Sequence, residues 1–211
     1  SHMFENAFVG KRYLRNYLYP EIFSHSIGYV GKPNEEELEK VFSSQILNKK
    51  IDYSYTNQLI VGKTGLEFIY DDMLNGEFGN NIREVDAKGR TINESISSKP
   101  QSGENLYTSL DLKSHQAAYK AFDGRKGAVV AIDIKDGSIV TLFSSPTFPT
   151  NKLANGILQE DFDLLITNKE KPFFNRALKG RYPPASSIKP AIAIFGIEEG
   201  LIDWNFSIFD E

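Results

Sequence analysis

At 211 residues and 40% hydrophobic content, the chain has enough apolar material to pack a core in one large domain or two small ones. A net charge of -4 without a basic stripe argues against nucleic acid as a partner, and nothing in it favours an acidic substrate. With no cysteine, thiol catalysis, disulfides and thiolate metal sites are excluded.

Ser1-His2-Met3 reads as the remnant of a cleaved expression tag and is set aside. From Phe4 to about Ser102 the chain mixes aromatics, charges and short periodic segments. Tyr13, Tyr17, Tyr19, Pro20, Phe23 and Tyr29, with Gly28 and Gly31, predict a unit made more of loop and short helix than of long sheet. The other two histidines, His25 and His115, lie far apart with no acidic cluster around them. Each is expected to be a part-buried ring bonded to backbone, and no metal site is expected. Pro33 to Phe42 predicts a helix with Asn34 as N-cap, its acids forming a solvated face. Leu66, Ile69, Tyr70, Met73 and Leu74 predict one helix over Gly65 to Leu74, ended by Gly76. Arg83 to Ile92 reads as a hairpin turning near Lys88-Gly89, and the breaker-rich Lys99 to Asn105 marks a boundary between units 4–102 and 103–211.

Beyond the boundary, Leu106 to Leu112 is expected as a strand and Lys113 to Phe122 as a helix carrying Ala117 and Ala118. The strongest β pattern follows, Ala128 to Ile134 and Ile139 to Phe143, with Asp136-Gly137 as the hairpin turn. Such a pair needs a covering layer. The apolar run Ala191 to Ile197 is the expected cover, which makes this unit α+β. No run approaches the ~18 apolar residues of a membrane span, so the chain as given carries neither anchor nor signal peptide.

Ser186 and Lys189 stand three apart where that apolar helix begins. On a helix they share a face, a pairing that can build a nucleophile without histidine. Placed at the positive end of a helix dipole and beside a segment expected to be buried, the lysine is disfavoured in its charged form. The spacing alone is weak, since 18 serines and 17 lysines would produce about 1.5 such pairs by chance and the chain has one. An exposed lysine beside a capping serine is the competing reading.

The order of hairpin, loop, Pro183-Pro184-Ala185-Ser186-Ser187-Ile188-Lys189-Pro190 and apolar helix resembles the start of a penicillin-binding transpeptidase domain. Gly127 to Asp133, Ser144-Ser145-Pro146-Thr147-Phe148 with Asn151, and Asn175 to Pro184 look like consecutive landmarks of the class B penicillin-binding proteins, most like the penicillin-binding protein 2 group. His25 to Gly31, Gly62 to Glu67 and Leu74-Asn75-Gly76 are similar to that family's non-catalytic pedestal. The resemblance implies an irregular pedestal or dimerisation module over 4–102. Over 103–211 it implies the N-terminal part of a serine β-lactamase-like transpeptidase domain, incomplete at its C-terminal side.

The family implies a D,D-transpeptidase that cross-links peptidoglycan during elongation and is acylated by β-lactams. Ser186 would attack the D-Ala-D-Ala stem peptide, Lys189 would take its proton, and no cofactor would be needed. It also implies an MreC-type scaffold and a RodA-type glycan polymerase as partners. The full-length protein would sit at the bacterial inner membrane by a single N-terminal anchor, its enzymatic part in the periplasm. An interaction module binding those proteins is the alternative function, and a penicillin sensor or β-lactamase is disfavoured by the pedestal motifs. Two departures stand out. Ala185 replaces the glycine usual before the nucleophile, a change expected to be mild. The family's Ser-x-Asn and Lys-Thr-Gly motifs lie downstream of the nucleophile helix and do not occur before Glu211; Lys63-Thr64-Gly65 matches the second by chance. The chain alone is therefore expected to be inactive.

Overall fold

A computed structural model describes residues 14–45, 59–77, 79–87 and 91–209. It divides into two units, Ser1–Leu178 and Lys179–Glu211. Among the described residues the larger unit holds three separate two-stranded antiparallel pairs with short helices between them, so the expected mixture of helix and strand is present.

The first pair, β1 (Val30–Gly31) and β2 (Val61–Gly62), is only two residues long, too short to hold itself together. Glycine supplies the rest. A Cβ on Gly28 (φ +83°) would lie 1.8 Å from the Thr64 carbonyl oxygen, and one on Gly65 (φ +63°) 2.6 Å from the Ile27 carbonyl. The two backbones can therefore touch, and they bond directly. Lys63 N–H donates to Tyr29 O at 2.8 Å, Leu66 N–H to Ser26 O at 3.0 Å and Glu67 N–H to Ile27 O at 3.0 Å. The last two are first-turn amides of α2 (Gly65–Ile69), which explains why Thr64 at the N-cap needs no side-chain bond.

Helix α1 (Glu35–Gln45) starts as expected. Asn34 and Glu37 form a reciprocal cap, with Glu37 N–H on Asn34 Oδ1 at 2.8 Å and Asn34 N–H on Glu37 Oε2 at 2.7 Å. Glu37 is no mere solvated acid, because the same carboxylate pairs with Lys63 and is held below its usual range, against a desolvation penalty, by Lys63 and by the Asn34 amide. The single helix expected over Gly65 to Leu74 is instead two, α2 and α3 (Asp71–Asn75), broken at Tyr70. Asp71 draws the chain round, its Oδ1 accepting from Gly62 N–H at 2.6 Å and from Asn75 Nδ2 at 2.8 Å. Gly76 ends α3 with φ +71°.

The chain from Leu14 to Pro20 has no ladder of its own. Asn151 on α5 (Thr150–Asn155) accepts Tyr17 N–H at 2.8 Å and donates to Tyr17 O at 2.9 Å, and Thr150 Oγ1 donates to Pro20 O at 2.8 Å. Tyr17 Oη in turn accepts Val30 N–H at 2.9 Å. Arg15 lies against buried Glu67, Nε to Oε1 at 3.0 Å, with Nη2 donating to Oε2 at 3.2 Å. Burial still pushes the Glu67 carboxyl above its ordinary value, so this pair fixes register more than it adds stability.

Strands β3 (Asn80–Val85) and β4 (Thr91–Ser98) form the expected hairpin, whose turn at Lys88-Gly89 lies outside the described residues. The strand expected over Leu106 to Leu112 is not formed. That segment is tied to the strand Ile139–Ser145 by Asp111 N–H on Val140 O (2.9 Å) and Ser109 Oγ on Ile139 O (2.8 Å). Asp111 then caps α4 (Leu112–Phe122), its carboxylate accepting Ser114 N–H at 2.7 Å. The hairpin β5 (Gly127–Ile132) and β6 (Ile139–Ser145) turns at Asp136-Gly137 as expected. Within the larger unit α4 covers it. Tyr119 and Phe122 meet buried Phe143 with ring centroids 6.4 and 5.8 Å away. His115 fixes this packing, because Leu142 N–H donates to its Nε2 at 3.2 Å, leaving the proton on Nδ1 for Asp111 O at 2.8 Å.

Helix α6 (Gln159–Thr167), not anticipated, brings Phe162 to Phe173, whose ring also meets Phe148. At α7 (Arg176–Lys179) Asn175 Oδ1 accepts the amides of Ala177 and Leu178 while its Nδ2 donates to His25 O at 3.2 Å. Buried Arg176 spends its guanidinium on the carbonyls of Glu170 (2.6 Å), Lys171 and Phe174 (both 3.3 Å).

The glycine contact gives a graded test. Gly28→Ala is expected to cost more than ~3 kcal/mol of unfolding free energy in urea, from backbone overlap added to the left-handed penalty. Gly137→Ala, where φ is +77° but no atom lies within 4 Å, should cost only ~1 kcal/mol. Equal losses would remove the interlocking role.

Candidate active site

Two prolines, Pro183 and Pro184, stiffen the approach to a 3-10 turn, Ala185–Ile188, that runs directly into α8 (Lys189–Glu198). Pro190 falls in the first turn of α8, where no amide is needed. Ser186 is on the turn and Lys189 opens the helix. Residues three apart eclipse in a 3-10 turn, and Lys189 N–H donates to the Ser186 carbonyl, so the backbone stacks the pair more directly than α-helical spacing predicts.

The neighbouring serine turns its hydroxyl back to the backbone. Ser187 Oγ bonds to the Pro184 carbonyl, which also accepts Ser187 N–H at 3.1 Å. Among the described residues no hydrogen bond engages Ser186 Oγ, and neither the 3-10 turn nor α8 has a side-chain cap, so neither serine fits the competing reading of a capping serine. Bonding in the turn starts at Ser187 N–H. The Ser186 amide lies ahead of it, among the unused donors that every helix start leaves.

The helix forms where expected but is not buried. Ser186 and Lys189 are exposed and α8 has no buried residue, with Ile192, Ile194 and Phe195 each more than half exposed. The expected desolvation of Lys189 is therefore not seen. The physical reason is local: α8 is apolar all round, a pattern suited to a covered helix, and the unit Lys179–Glu211 supplies no second layer to cover it. Gly200 (φ +69°) ends the helix, with Leu201 N–H returning to Gly196 O at 2.9 Å.

Ala185 has φ +47°, in the left-handed region. The replacement expected to be mild is strained, at about 1–2 kcal/mol for a residue with a Cβ. Sequence reasoning noted the missing glycine but had no signal for the dihedral. Cavities of about 260 and 350 Å³ occur in the larger unit, the first beside Tyr17, Pro20 and Thr150 and the second beside Ser26, Tyr70 and Tyr107; neither is lined by Ser186 or Lys189. Among the described residues no group of three or more His, Asp or Glu is placed to hold a metal.

Ala185→Gly should relax the turn by ~0.5–1 kcal/mol, the released strain partly offset by the greater freedom of an unfolded glycine. Hydrogen exchange at the Lys189 amide reads this directly. Protection should rise two- to fivefold, and unchanged or lower protection would mean the turn is not strained.

Comparison with known proteins places these features. A model described as the penicillin-binding protein dimerisation domain matches residues 1–108, and one described as the penicillin-binding protein transpeptidase domain matches residues 127–211. The peptidoglycan D,D-transpeptidase MrdA of Acinetobacter baumannii is 37% identical over 209 residues, covering 99% of this chain and 30% of the relative. Among solved structures, Pseudomonas aeruginosa PBP2 in complex with WCK 5153 matches with TM-score 0.73 and 31% identity, over 93% of this chain and 38% of that one. The Helicobacter pylori PBP2 complex with MreC matches with TM-score 0.73 and 28% identity, over 92% and 34%. The chain thus spans about 30% of the length of the curated relatives it matches.

Proposed function

Because the chain belongs to the penicillin-binding protein family, we propose that it carries the nucleophile segment of a peptidoglycan D,D-transpeptidase, with Ser186 as the acyl-forming residue and Lys189 as its base. The observation that carries this reading is the stacked pair itself, Ser186 with a disengaged hydroxyl one 3-10 turn before Lys189, inside the stretch matched by the transpeptidase model.

In this reading Ser186 Oγ attacks the carbonyl carbon between the two terminal D-alanines of a stem peptide while its proton passes to the Lys189 amine. The negative oxygen of the tetrahedral adduct takes a hydrogen bond from the Ser186 amide at the helix start. Lys189 then returns the proton to the departing D-alanine nitrogen, leaving a Ser186 ester. An amine of a second strand attacks that ester, forms the cross-link and restores Oγ–H. A β-lactam follows the first half of this path and remains as an ester. Such proton transfer needs a neutral lysine, so the exposed Lys189 has to be desolvated by whatever covers α8 in the working enzyme. The pedestal is assigned to residues 4–102 and the transpeptidase portion to 103–211, at the periplasmic face of the bacterial inner membrane.

The likeness to the Helicobacter pylori protein solved with MreC favours a second, non-catalytic role, binding an MreC-type scaffold and, through the same elongation machinery, a RodA-type polymerase. A pull-down with the full-length protein that recovers neither would contradict it.

The catalytic reading is tested in the full-length protein with a fluorescent penicillin. Ser186→Ala should abolish covalent labelling with the fold retained, and Lys189→Ala should slow it by at least ~100-fold. Labelling that survives Ser186→Ala overturns the assignment.

A further inference from the structure

The imidazole of His25 is buried, at 7% exposure, where the chain from Leu14 to Gly31 meets the loop after β6 and the start of α7. Its Nε2–H donates to Pro146 O at 2.9 Å, so the neutral ring carries its proton on Nε2 and leaves Nδ1 bare. Phe148 closes the ring in edge-on, centroids 5.0 Å apart. The His25 carbonyl accepts from Asn175 Nδ2, and the next residue, Arg176, is itself buried and bonded to backbone carbonyls.

The surroundings offer nothing to a second proton. From α7 the charged group acting on the ring is the Arg176 cation, and the loop after β6 contributes Pro146 and Phe148. On its own segment the titratable Tyr29 rests its ring against the same Phe148, with centroids 5.9 Å apart. Among the described residues no carboxylate bonds or pairs with the imidazole. Burial, opposed by the Pro146 carbonyl and reinforced by Arg176, holds His25 below the ordinary histidine range.

We propose that His25 is an acid-sensitive latch, whose protonation releases the 14–31 segment from the loop after β6 and from Asn175. The sign follows from linkage. When the segment is undocked the ring takes up a proton near the ordinary value of about 6.5, whereas when docked it resists. Docking is therefore fully favoured above about pH 6.5. It weakens by up to about tenfold per pH unit as pH falls from there to the docked pKa, then levels off. Glu67, pushed up by burial, works in the opposite sense, so the two groups have to be separated by substitution.

The test uses the whole chain and two readouts by NMR. One is the titration of the His25 ring carbons. The other is the hydrogen-exchange protection factor of the Tyr17 amide, which reports docking through its bond to Asn151. The ring should titrate below 6.5, and Tyr17 protection should fall severalfold between pH 7 and 5.5. His25→Gln, whose amide can still donate to Pro146 O, should flatten that fall. A ring that titrates at or above the ordinary value overturns the latch, as does a fall in protection that persists in His25→Gln. Should that variant fail to fold, the wild type decides: protection has to fall as pH drops from about 6.5 to the ring's own midpoint and level off below it, and a fall lying elsewhere contradicts the proposal.

Discussion

The larger unit depends on one constraint: the chain over residues 14–31 runs from an exposed start into a largely buried stretch, Ser24 to Gly31, with only the two-residue β1 as a ladder. Its polar groups have to be satisfied from elsewhere, since an unpaired buried amide or carbonyl costs about as much as a lost hydrogen bond. Side chains and crossing backbone do this in turn. Asn151 takes both polar groups of Tyr17, Thr150 takes Pro20 O, the Tyr17 hydroxyl takes Val30 N–H, and Asn175 takes His25 O. The first turn of α2 consumes Ser26 O and Ile27 O. Landmarks far apart in sequence are therefore the two sides of one joint. Residues 144–151 and 175–176 hold in place the stretch that runs through Gly28 to Gly31.

That joint explains which parts of the fold were legible in the sequence. Local signals succeeded where the local chain decides the structure: Asn34 caps α1, Asp136-Gly137 turns the strongest hairpin, and Gly76 ends α3. They failed where a distant partner decides. Asp71 breaks the helical rhythm of Gly65 to Leu74 because its carboxylate is claimed by Gly62, nine residues back. Leu106 to Asp111 has strand-like composition but lies along β6 with one backbone hydrogen bond, so no ladder forms. The β5/β6 pair needed a cover, as its apolar pattern demanded, and within the larger unit α4 supplies one through Tyr119 and Phe122 on Phe143.

The site was legible in a different way. Ser-x-x-Lys spacing singled out two candidate residues and the surrounding order of motifs linked them to a family, but two physical features were hidden. One is the 3-10 geometry, which stacks Ser186 and Lys189 while the Ser187 hydroxyl donates back to the Pro184 carbonyl. The other is the left-handed Ala185, where a side chain is carried at a position suited to glycine. The apolar surface of α8 is the counterpart of these. A helix with Ile192, Ile194 and Phe195 all more than half exposed presents a face that a covering layer would desolvate, and with it the amine of Lys189.

In the proposed function Ser186, and not the adjacent Ser187, is the residue that becomes an ester. Peptide mapping by mass spectrometry after brief exposure of the full-length protein to a β-lactam tests it directly. A single adduct is expected, its fragment ions placing the added mass on Ser186 with Ser187 unmodified. An adduct on Ser187 or on a residue outside the turn would contradict it, as would a protein that takes up no added mass.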